Sequence, residues 1–212
     1  MREEADPADE IARRAVRTLA AGRAGSVYEA VELAVRELRL APRVARPTRA
    51  MLRAHAQALE ESERGEAARL LRVEETADEV LRVLSVIEEF LVTSDPEAPD
   101  HPAPRVYGRA ARSEFDLDPT VRVRVVSSLP AHRLAQWLAD AGFGETEVGT
   151  LHSRYGALDE IRFATGLAEY AVARIPPRAR IDAALDLVRG TPVDSADFEE
   201  FLRRTPRPGD HG

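Results

Sequence analysis

Cysteine is absent from this 212-residue chain, which excludes disulfides, thiolate nucleophiles and cysteine-type zinc sites. Lysine is absent too, so the 30 strongly basic side chains are all arginine, and neither lysine Schiff-base chemistry nor a phosphate-loop lysine is available. Asparagine is also missing. The exclusive use of arginine reads as a coding effect of a GC-rich bacterial genome rather than as selection for guanidinium chemistry. No apolar run approaches the roughly 20 residues that cross a bilayer. The N-terminal "MREEADPADE" is acidic and lacks the basic-then-apolar order of a secretory signal. These absences predict a cytoplasmic protein with no membrane partner.

What is present belongs to a soluble globular chain: 44% hydrophobic and 32% charged residues. The length suits one domain of ordinary size, or a core domain with a helical extension. A formal net charge of −7 argues against a dedicated nucleic-acid binder, whose affinity comes from neutralising phosphates.

The first half has a helical period. Ile11, Ala15, Val16 and Leu19 form one stripe, which "AGRAG" ends. Ser26 and Glu29 make a capping box for a second helix reaching about Leu40, with Val27, Val31, Ala34, Val35 and Leu38 inward. Thr48 caps a third helix to about Arg64. A fourth, over 65–91, carries Val73, Ala77, Val80, Leu81, Leu84, Ile87 and Leu91. "TSDPEAPDHPAP" then reads as a linker.

The second half changes period. "RVY" is a short strand, and "TVRVRVV" alternates Val121, Val123 and Val125 against Arg122 and Arg124, the mark of a sheet with one buried face. An amphipathic helix over 130–142 follows, with Trp137 on its inward side. "LDEIRFA" and "AEYAVAR" are strands joined at "TG" in a hairpin. Helices are expected over 179–189 and 195–204. The fold class is α+β: a helical bundle over 1–92, a Pro-rich linker over 93–104, a small mixed sheet with flanking helices over 105–205, and a disordered tail over 206–212.

The stretch "VYGRAARSEFDLDPTVRVRVV" resembles the signature of the polymerase-β-like nucleotidyltransferase superfamily, in its minimal branch. Val106 and Tyr107 match its first strand, Gly108 its glycine, Ala111 and Arg112 its turn, and Val121, Val123 and Val125 the apolar positions of the next strand. The resemblance covers about 80–174. It implies a nucleotidyltransferase-like layer with departures at the chemistry. Arg109 stands where that family has serine, and Thr120 and Arg122 where it has its paired metal-binding aspartates. The third family carboxylate matches Tyr170, with Glu169 expected on the opposite face. Arg122 would repel a divalent cation but can pair with a phosphate as a fork.

The resemblance thus implies loss of metal-dependent catalysis, with no catalytic residue, metal or cofactor to assign. A phosphate or nucleotide is then expected at Gly108, Arg109, Arg112 and Arg122. The plainer alternative for this stretch is a glycine turn with solvated arginines. A second reading keeps nucleotidyl transfer to a protein or small molecule through Asp116, Asp118 and Glu169; against it, "DLDP" is an ordinary aspartate-rich turn. A third is a structural protein whose first four helices bind a protein partner or a second copy. Arg46, Arg49, Arg53 and His55 could form an anion or RNA patch, or simply a solvated face. No two of His101, His132, His152 and His211 have the spacing of a metal pair.

Overall fold

The computed structural model describes residues 6–41, 43–95, 102–115 and 120–205. Its described residues form six α-helices and one six-stranded mixed sheet, so the α+β class is borne out. The chain divides into two compact units at Leu70/Leu71.

The first unit is built on α1 (Pro7–Ala20), α2 (Val27–Glu37) and α3 (Arg49–Arg64). Each starts at a side-chain cap: Asp6 accepts from Ala8, Ser26 from Glu29, and Thr48 from Met51. The Glu29 carboxylate reaches back to the amide of Gly25, one residue before the position a strict capping box uses. Ile11, Ala12, Ala15, Val16, Ala30, Val31, Ala34, Val35 and Leu52 make the core. Small alanines on the facing stripes let α1 and α2 pack closely. His55 of α3 meets Asp9 of α1 at 2.8 Å.

Helix α4 (Glu66–Ser94) is continuous over 29 residues. The domain limit expected at residue 92 is therefore corrected. Ala77, Val80, Val83, Leu84, Ile87, Phe90 and Leu91 of α4 belong to the apolar core of the sheet. The linker read over 93–104 begins as the last turn of this helix, and its residues 96–101 and the tail over 206–212 lie outside the described residues.

The sheet runs in the order β3 (Glu147–Ser153), β4 (Gly156–Ala164), β5 (Glu169–Ile175), β2 (Thr120–Val126), β1 (Arg105–Tyr107), β6 (Ser195–Ala196). All neighbours are antiparallel except β2 and β5, which are parallel in the register Thr120↔Glu169 and Val121↔Tyr170. One face carries Val106, Val121, Val123, Val125, Ile161, Phe163, Tyr170 and Val172 into the core with α4, α5 (Ala131–Leu138) and α6 (Phe198–Arg204). Trp137 is half-buried, its ring 5.8 Å from that of Phe90.

Four elements differ from expectation. Helix α5 gives way to a π-turn over Ala139–Phe143 rather than reaching 142 as one α-helix. β3 was not foreseen: "EVGTLHS" lies at an edge, largely exposed on both faces, so burial imposes no alternation on it. The helix expected over 179–189 is a run of turns, and the one expected from Ser195 begins at Phe198 behind an Asp197–Glu200 capping box. In that run of turns the carbonyls of Leu185 and Leu187 accept from Arg124 and from the Arg154 amide. Leu187 itself fills a small cluster with Leu158 and Ala173. The segment is thus a strap over part of the second sheet face.

Candidate functional site

The second face of the sheet combines a covered part with an open polar part. On β2 the outward residues are Thr120, Arg122 and Arg124, and their surroundings differ. Arg122 is exposed, whereas Arg124 keeps only 7% of its surface. The Arg124 guanidinium lies 3.7 Å from the ring centroid of Tyr107 and donates through Nη2 to the Leu185 carbonyl at 2.8 Å. Its Nη1 is buried without a hydrogen-bond partner. Burial lowers its pKa, a pull opposed by Tyr107 and Asp186 nearby. Asp186 sits below its ordinary value. Desolvation raises it, but hydrogen bonds from the amides of Arg189 and Val188 and the charge of Arg124 outweigh that burial.

The parallel pairing of β2 with β5 corrects one residue assignment. Register partners in adjacent strands share a face, so Glu169 stands beside Thr120 on the open face. Tyr170 takes the core face instead, stacked on Phe163 at 4.7 Å. The Tyr170 hydroxyl donates to Glu79 at 3.0 Å, and the Thr165 hydroxyl donates to the same oxygen at 2.7 Å. Tyr170 is therefore a core residue and not a substitute for a metal ligand.

Burial first, and the charge of Glu79 second, hold the Tyr170 phenol far above its ordinary value. A folded-state value raised above the unfolded one leaves stability intact below about pH 10 and erodes it as pH rises further. Urea unfolding at about pH 8 and about pH 11 is expected to show that alkaline loss in the natural chain, reduced in Tyr170→Phe.

The expected phosphate residues meet only in part. Gly108 follows β1 with φ +77°, a conformation that favours glycine, and its amide donates to the Asp194 carbonyl at 2.8 Å. The amides of Ala111, Arg112, Ser113 and Glu114 close back on Gly108, Arg109 and Ala110 in a 3₁₀ turn. Five amides of this turn are thus engaged by the protein's own carbonyls rather than open to a phosphate. Arg112 is held by Asp194 at 2.8 Å and Glu114 at 3.3 Å. Arg109 is half-buried at the start of the same turn. Arg122 pairs in register with Tyr107 on one side and Ala171 on the other, and is the expected residue that stands on the open face.

Asp116 and Asp118 lie outside the described residues, as do His101 and His211. Among the described residues no group of three His, Asp or Glu side chains is placed to hold a metal ion. In the first unit, Arg46 faces Glu32 at 2.9 Å and His55 faces Asp9, so that patch is compensated by acid.

Sequence reasoning missed Arg162. It lies on β4 opposite Ala171, so Tyr107, Arg122, Ala171, Arg162 and Glu147 form one row across five strands. The alternation of "LDEIRFA" does place Arg162 on the outer face; only the β4–β5–β2 order puts it near Arg122. The next row runs Arg105, Arg124, Ala173, Glu160 and Gly149. A depression beside α6, lined by Glu88, Asp197, Glu199, Glu200 and Arg203, is less promising, because Asp197 and Glu200 are engaged by Arg105 at 3.0 and 2.5 Å.

No helix among the described residues is long and apolar enough to cross a membrane. No family model matches the chain, and no curated protein is significantly similar to it.

Proposed function

We propose that this protein binds a phosphate-bearing ligand, a nucleotide being the leading class, on the open sheet face at Arg122, and that it does so without metal-dependent transfer. The observation that carries the reading is the composition of one face at adjacent strand positions: Thr120 and Arg122 on β2, with Glu169 the register partner of Thr120. In the nucleotidyltransferase-like frame that the sequence resembles, these β2 positions would hold the cation-binding carboxylates. A guanidinium there repels Mg²⁺ and offers a planar fork to phosphate oxygens instead. Glu169 is the carboxylate in register with these β2 positions, and among the described residues no group of three acidic or His side chains is placed to fix a divalent ion. Gly108 and Arg109 border the same end of β1, while Arg112 reaches a ligand only by leaving Asp194.

Calorimetric titration of ATP and the other nucleoside triphosphates, with and without Mg²⁺, tests this. Binding is expected without a metal requirement and to weaken by about tenfold or more in Arg122→Gln, the range for losing a charged fork. Binding that strictly requires Mg²⁺, accompanied by nucleotide transfer to an acceptor, overturns it.

A further inference from the structure

The geometry points to a second anion-binding position at Arg162, so that the ligand of the open face carries linked phosphates rather than one. This deepens the anion-binding reading above and rests on it. Arg122 and Arg162 are both register partners of Ala171, one from each neighbouring strand. Two strand spacings set their backbones about 10 Å apart. Their side chains rise from the same face, and the small Ala171 between them leaves the floor low. Ala173, the next outward residue of β5, is buried beneath Leu187 of the strap, which closes one end of the trough.

Arg162 is also held ready. Its Nε and Nη2 grip Glu160 at 2.6 and 2.5 Å, while its side chain stays 62% exposed and Nη1 has no partner among the described residues. Glu160 is itself buried, with a side chain only 9% exposed. One edge of the guanidinium is thus anchored to the strand and the other faces solvent, which lowers the ordering cost of taking up a ligand. Arg124 adds a third positive charge at the closed end, beside Ala173.

Charge balance then selects the ligand. Glu147, Glu160 and Glu169 border the trough, so a single phosphate gains one fork and meets nearby carboxylates. A chain of two or three phosphates spans Ala171 and engages both guanidiniums, gaining a second charged contact against the same carboxylate background.

The test uses inorganic orthophosphate, pyrophosphate and tripolyphosphate at constant ionic strength, titrated into the full chain and its variants. Tripolyphosphate is expected to bind at least about tenfold more tightly than orthophosphate, and Arg162→Gln is expected to remove that preference. Because Arg162→Gln takes the partner from a buried glutamate, Ala171→Leu provides a second probe that keeps both charges and raises the floor. It should likewise abolish the preference. If Arg122→Gln weakens all three ligands but Arg162→Gln and Ala171→Leu leave the preference intact, the second position is wrong and the anion-binding reading stands. If none of the three binds, both fall.

Discussion

Asp95→Ala is expected to cost about 4 kcal/mol of unfolding free energy, read from urea denaturation at neutral pH. Asp95 follows the last turn of α4 and keeps only 2% of its surface. Its carboxylate accepts from the Ser127 hydroxyl at 2.6 Å, the Ser128 amide at 2.8 Å and the Ser128 hydroxyl at 2.6 Å. These donors form the corner between β2 and α5, where Ser127 in turn accepts from the Leu129 amide at 3.1 Å. Removing the carboxylate strands donors that folding has already taken out of water, and each stranded group costs about 1–3 kcal/mol. Asp95→Asn keeps one acceptor oxygen and should lose about half as much. A loss under about 1 kcal/mol in the alanine variant would mean that the corner holds its shape without this anchor.

The second large effect is expected at Arg124, and two substitutions there should diverge. Arg124→Ala removes the guanidinium stacked on Tyr107 and the donor to Leu185, which also loosens the strap from the sheet. A cost of about 2–3 kcal/mol follows from a desolvated cation–ring contact plus one charged hydrogen bond. Arg124→Met keeps most of the apolar stem over the ring and brings no charge into the interior. It loses the same hydrogen bond to Leu185, but it keeps the packing of the stem and is relieved of desolvating a cation whose Nη1 has no partner, so it should cost at least about 1 kcal/mol less than alanine. If methionine proves as damaging as alanine, the hydrogen bond to the strap, and not the packing, is what Arg124 contributes.

Arg124 also shows where sequence reasoning stops. Val121, Val123 and Val125 were legible as a buried face because a strand alternates and water penalises exposed valine. The same alternation assigned Arg122 and Arg124 together to the outer face, and correctly so. Their difference in burial comes from residues some sixty positions later, which no local period reports. The strap was misread for a related reason. Ile181, Ala184, Leu185 and Val188 have helical spacing, yet the carbonyls of Leu185 and Leu187 accept from Arg124 and Arg154 rather than from amides one helical turn on.

Helix caps fared better, since Ser26 and Thr48 act within three residues of themselves. At the site, Arg122 was readable from its strand, and the facing of Glu169 was not, because it depends on the register in which β5 pairs with β2. The Gly108 amide is taken by the Asp194 carbonyl, again a distant partner.

Because α4 supplies the sheet with Val80, Val83, Leu84, Ile87 and Phe90, trimming the chain at its proline-rich stretch would yield strands stripped of their lid. A fragment begun just before Leu71 would retain it. The natural seam for dissection thus falls inside a helix, some twenty residues ahead of where composition invites the cut.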